Sequence, residues 1–225
     1  MNKRTKKIIN IFKQQKMVCL MLGGVLLNPI GCGSLSSSQV NNKSIIDELG
    51  MEKVSLEQCR RLEKSRNYSE SMKKYVELLS QNQADRRLFE EGTLGKARSF
   101  YGMKKYTYAL NALSPLPDKA ESNFERRKLA LAGQVMLSNS MHESAESVLE
   151  LALSDLDEDE ETDFAPSFAN LGTIYLKNYK LQQGIIMYEK ARNGFKATAD
   201  FNKMNECNKI LNNFRHFTSG KPNKN

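Results

Sequence analysis

From about Ser44 onward the chain predicts an all-α fold, and three observations carry that reading. No stretch beyond Ser44 alternates apolar and polar residues with the period of two that a half-buried strand requires. Large, small and aromatic residues recur along the chain at fixed intervals. The last patterned segment is amphipathic at helical spacing, as the end of a stack of helices has to be if its last apolar face is to be covered.

The clearest copy of the recurring unit is FANLGTIYLKNYKLQQGIIMYEKA, Phe168 to Ala191. Leu171 and Gly172, then Tyr175, lead to a polar break at Lys177 to Lys180, after which Gly184, Tyr188 and Ala191 complete the pattern. Two helices cross closely only where small residues meet, so Gly172 and Gly184 mark the crossing, and Phe168, Tyr175 and Tyr188 fill the space beside it. This spacing resembles the tetratricopeptide repeat, an antiparallel helix pair. The resemblance implies a right-handed superhelical solenoid of about four such pairs over residues 44–217, closed by a C-terminal capping helix.

Leu129, Ala132, Gly133, Met136, Ala145, Leu149 and Ala152 form a second good copy. Upstream, Ala97, Phe100, Tyr106, Ala109 and Leu113 form another, with Lys96 where Leu is usual and a second helix that Pro115 and Pro117 stop early. The first and weakest copy contains Cys59, Leu62, Tyr68, Ser71, Tyr75 and Leu78. Their registers advance by 38, 36 and 39 residues. The final helix is expected to seat Phe201, Met204, Ile210, Leu211 and Phe214 on the last pair, and residues 218–225 read as a disordered tail.

The chain has 34 Lys and Arg against 26 Asp and Glu. Six of those bases, Lys3, Arg4, Lys6, Lys7, Lys13 and Lys16, fall in residues 1–31, which hold no acid, so the remainder is nearly balanced at 28 to 26. That balance argues against a nucleic-acid partner. The same segment carries an apolar run from Met17 to Leu27, too short to span a bilayer comfortably, and reads as a signal peptide. Ile30-Gly31-Cys32 behind it resembles the bacterial lipobox, with Pro29 where Leu is usual. The resemblance implies lipidation of Cys32, and Gly33 in place of Asp implies the outer membrane, facing the periplasm. An uncleaved anchor, or ordinary cleavage in the Ser-rich stretch beyond, is the alternative. Residues 32–43 read as a flexible tether.

Catalytic chemistry is sparse. His142 and His216 have no metal-ligand spacing around them, and no phosphate loop or nucleophile elbow follows the leader. No cofactor and no enzyme activity are expected. Cys59 and Cys207, at opposite ends of an array, are expected to stay unpaired. The acidic run from Asp155 to Phe164 lacks the Gly and the final Glu of a calcium loop and reads as a solvated connector, or as a patch for a basic partner. Carried over from the repeat, the concave face takes the residue after each small packing position, Arg60, Arg98, Gln134 and Thr173, and one turn on Glu63, Tyr101, Leu137 and Leu176. Two arginines and a tyrosine there suit a peptide carboxylate or an extended chain; otherwise they are simply exposed helix residues.

A short array directly behind a lipobox resembles the TadD family of Flp pilus (tight adherence) assembly proteins. That resemblance implies a lipid-anchored scaffold that binds a protein, such as a secretin or another pilus assembly component, and aids its localisation or stability. The alternative is a periplasmic adaptor that recruits a protease or cell-wall enzyme. Oligomeric state is open.

Overall fold

The computed structural model describes residues 54–82 and 84–218. The leader, Cys32, the tether, the start of the expected array and the tail beyond Thr218 lie outside the described residues. Those described are all-α, with no strand among them: α1 Leu56–Lys64, α2 Tyr68–Gln81, α3 Arg86–Gly102, α4 Tyr106–Ala112, α5 Asn123–Ser138, α6 His142–Ala152, α7 Glu158–Glu161 running through a 3-10 turn Thr162–Phe164 into α8 Ala165–Lys177, then α9 Leu181–Ala197 and α10 Phe201–Thr218.

Consecutive helices pack as antiparallel hairpins, α1 with α2, α3 with α4, α5 with α6 and α8 with α9. The same turn closes each of them. Arg66, Lys104, Ser140 and Tyr179 stand at φ between 58° and 61°, and the next residue donates its N–H back across the turn: Asn67 to Leu62 O at 3.0 Å, and Lys105 to Phe100 O, Met141 to Met136 O and Lys180 to Tyr175 O, each at 2.9 Å. This six-to-one bond satisfies a carbonyl that the ending helix would otherwise strand. A fifth turn of the same kind, with Ala199 at φ 56°, joins α9 to α10. The second helix of each pair starts straight from the turn, without a side-chain cap. First helices are started separately, α1 and α5 by capping boxes at Ser55 and Ser122 and α3 by the Asp85 carboxylate accepting from Leu88 N.

Counted from the left-handed residue, the packing positions repeat. Seven before it lie Cys59, Ala97, Gly133 and Gly172; five after it lie Ser71, Ala109, Ala145 and Gly184; nine after it lie Tyr75, Leu113, Leu149 and Tyr188. Every one is buried. A Cβ on Gly172 or Gly184 would come within 3.3 Å of the other's carbonyl oxygen, so these two helices touch backbone to backbone. Gly95 belongs to no expected copy position, yet the ring of Tyr75 lies over it so closely that a Cβ would stand 2.1 Å from Cζ.

Two expectations need correction. Phe201 is 59% exposed, and α10 packs instead through buried Cys207 and Leu211 with Met204 and Ile210 beside them. At 100° per residue Phe201 falls well to one side of the Cys207–Leu211 stripe. The acidic run is an open connector only in part: Asp155, Asp157 and Asp163 are exposed, but the run does not stay irregular throughout. Its second half is helical, because Phe164 is buried at its end and Pro166 opens α8. Arg126 donates to the carbonyl oxygens of Ser154 and Asp155, and Lys190 bonds Glu161, so this run is held against α5 and α9.

Gly95→Ala should lower stability by about 1–3 kcal/mol in urea unfolding, since the ring beneath must shift, and Tyr75→Leu in the same chain should restore part of the loss. At the turns the sign reverses. Ser140→Gly should stabilise by roughly 0.5–1 kcal/mol and Ser140→Val should destabilise by at least as much, because only glycine takes positive φ without cost.

Candidate protein-binding face

The first helices lie side by side in one direction, and polar staples join them. Arg98 grips Glu63 of α1 with Nε at 2.6 Å and Nη2 at 3.2 Å, and the Tyr75 hydroxyl donates to the same carboxylate at 2.9 Å. Glu91 of α3 accepts from Arg60 of α1 at 3.1 Å and from Arg127 of α5 at 2.6 Å. Further along, the Tyr101 and Ser138 hydroxyls meet at 2.9 Å. The side chain of Glu91 is 13% exposed, whereas its two arginines remain about 40% exposed. The carboxylate is thus the inner member of the network and the guanidiniums its outer rim.

Burial pushes the Glu91 carboxyl up, but the hydrogen bonds and charges of Arg127 and Arg60 outweigh it and hold the group below its ordinary range. Tyr75 moves the other way. Burial, then the neighbouring Glu63 carboxylate, raises its phenol far above normal, so it stays a neutral donor.

The expected face residues divide into two sets. Arg60, Arg98, Glu63 and Tyr101 all take part in these staples, the two arginines already on carboxylates of this chain and Tyr101 on the Ser138 hydroxyl. Gln134 and Leu137 are half-exposed on α5, beyond the Glu91 network. Thr173 and Leu176 turn toward the α8–α9 crossing: Thr173 Oγ1 bonds Ala169 O at 2.9 Å and the Tyr188 hydroxyl at 2.7 Å, and Leu176 covers Gly184. They serve that hairpin more than a ligand.

Sequence reasoning missed Glu91 and Arg127, which stand outside the repeat's packing positions, and also Ser99. The Ser99 hydroxyl reaches Gly95 O at 2.9 Å and Ser71 Oγ at 3.0 Å, and Ser71 in turn donates to Cys59 O, a buried polar ladder through α1, α2 and α3. A shallow cleft of about 440 Å³ also opens between Phe89, Pro115, Leu116, Phe124 and Lys128, so the prolines line a surface as well as stopping a helix. Cys59 and Cys207 are both free and buried, and burial pushes the Cys59 thiol up to about 11. Among the described residues no His, Cys, Asp or Glu side chains cluster as metal ligands, and no helix is long and apolar enough to cross a membrane.

Compared with known proteins, the chain matches no family model and no curated protein.

Because the folded-state value of Glu91 is depressed, its contribution to stability is complete above the ordinary carboxylate range and is lost as pH falls through the depressed value. Glu91→Gln should therefore cost about 1–2 kcal/mol in chemical denaturation at neutral pH, and the gap to wild type should shrink on acidification.

Proposed function

We propose that the chain is a right-handed superhelical solenoid of about four tetratricopeptide-type helix pairs, used as a protein-binding scaffold and not as an enzyme. In this reading a lipid on Cys32 holds it at the outer membrane facing the periplasm. Its partner belongs to a Flp or type IV-type pilus assembly or secretion system, most directly a secretin that it localises or stabilises. The observation that supports the scaffold is the recurrence of one left-handed turn at 38, 36 and 39 residues, with the same small and large buried positions around each copy. A stack of equivalent pairs presents the same helix of each pair along one extended face, the surface on which such arrays hold proteins. The assignment to pilus assembly rests on the resemblance of the lipobox-and-array arrangement to TadD.

Crosslinking and pull-down of the full-length protein from native membranes, beside Cys32→Ser and Leu137→Asp variants, tests both parts. A secretin captured by wild type, lost with Cys32→Ser and reduced with Leu137→Asp is the expected result. Soluble hydrolases captured equally by wild type and Cys32→Ser would replace the pilus reading with the adaptor.

A further inference from the structure

Antiparallel packing sorts the connections of the chain onto two edges. Residues 60 and 63 of α1 meet 91 and 98 of α3 in the same order, and 91 and 101 of α3 meet 127 and 138 of α5 likewise. α6 runs back along α5, with Leu149 on Gly133, and α8 runs against α6, with Tyr175 on Glu150 and Asn178 on Glu146. The four hairpin turns therefore share one edge, and the connectors at 84–85, 113–122 and 153–164, with the α9–α10 turn, share the other.

The charges divide with the edges. The turns carry Lys64, Arg66, Lys104, Lys105, Lys177 and Lys180, all exposed, and within residues 64–69, 102–107, 139–143 and 177–181 the acid present is Glu143. Lys180 bonds Glu146, while none of the other five takes part in an ion pair among the described residues. The connectors carry exposed Asp85, Asp118, Glu121, Asp155, Asp157 and Asp163 against Lys119, with exposed Arg86 and Arg87 opening α3 and exposed Lys196 ending α9 at the same edge, so that edge is mixed where the turn edge is basic. A second observation marks the turn edge. Tyr179 is 90% exposed at φ 58°, a bulky ring held in a conformation that costs energy and with almost none of its surface covered. Leu181 beside it is 40% exposed.

We propose that this edge docks on a bilayer surface containing anionic phospholipid. The lysines and Arg66 meet lipid phosphates, each basic side chain near such a surface adding about 1 kcal/mol of attraction. Tyr179, with an apolar ring and a polar tip, enters the headgroup layer, where such residues are at home. The mixed connector edge faces away from the membrane. The inference rests on the reading that the N-terminal segment brings the chain to a membrane, but it concerns a different surface and can fail separately.

The test uses the full chain on vesicles of phosphatidylcholine and of phosphatidylcholine with phosphatidylglycerol, read by hydrogen exchange and by partition in rising salt. Amides around residues 66, 104 and 179 should gain protection on the anionic vesicles only. The Lys104→Glu, Lys105→Glu, Lys177→Glu triple variant should lose that protection and lower the anionic-over-neutral partition by about tenfold or more, whereas Lys119→Glu should change neither. Equal protection on both vesicles, protection at residues 153–164 instead, or tighter binding of the same edge to duplex DNA than to anionic vesicles would overturn the proposal. Native membrane anchoring that survives in Cys32→Ser, with the anionic preference intact, would sink only the lipid-anchor reading.

Discussion

A helix that reverses into an antiparallel partner must satisfy its last carbonyls and re-aim the chain within a few residues. Here one residue at positive φ and one six-to-one hydrogen bond do both. The register of each hairpin depends on that turn. With its geometry constant, the residue seven before must lie where the helices cross, the one five after must face it, and the one nine after must fill the space beyond. Cys59 with Ser71 and Tyr75, and Gly172 with Gly184 and Tyr188, obey one rule through different side chains. None of the hairpin turns places glycine at the strained position, although glycine would hold it without strain.

Inside a pair the contacts are mainly apolar and volume-limited, as where Leu149 rests on Gly133 or Leu176 on Gly184. Between the first helices of neighbouring pairs they include charged groups, with Glu63 and Glu91 each shared by two donors. A ligand carboxylate that approaches Arg60 or Arg127 competes with Glu91 for them, which favours partners that supply several contacts at once over a single anionic group. Leu137 and Gln134, which carry no such obligation, are the more open part of the face.

What could be read in the sequence follows this division. Crossing positions are legible because volume limits them: Gly172, Gly133 and Ala97 stand out by size, and the breaks beyond them by polarity. Glu91 and Arg127 are not legible, because a charged residue on a helix has the same appearance whether it meets water or a partner some 30 residues away. The acidic run misleads for a related reason. Its composition reads as solvation, while Phe164, a single buried ring, decides that its end packs. Phe201 errs in the opposite sense, since hydrophobicity without the right angular position buries nothing.

Net charge hides the arrangement that topology creates. Beyond residue 31 the bases and acids nearly cancel at 28 to 26, yet antiparallel pairing sends the four hairpin turns to one edge, so exposed bases gather there without dominating the total. Neither the turn lysines nor the connector acids named above help to fill a pair's interior, and the turn itself needs only a residue that tolerates positive φ. Apart from Asp85, which caps α3, and Lys180, which bonds Glu146, packing leaves the side chains at these positions free. Where the fold leaves residue type open and one edge nonetheless gathers exposed bases, the field they create is available to attract an anionic surface outside the molecule.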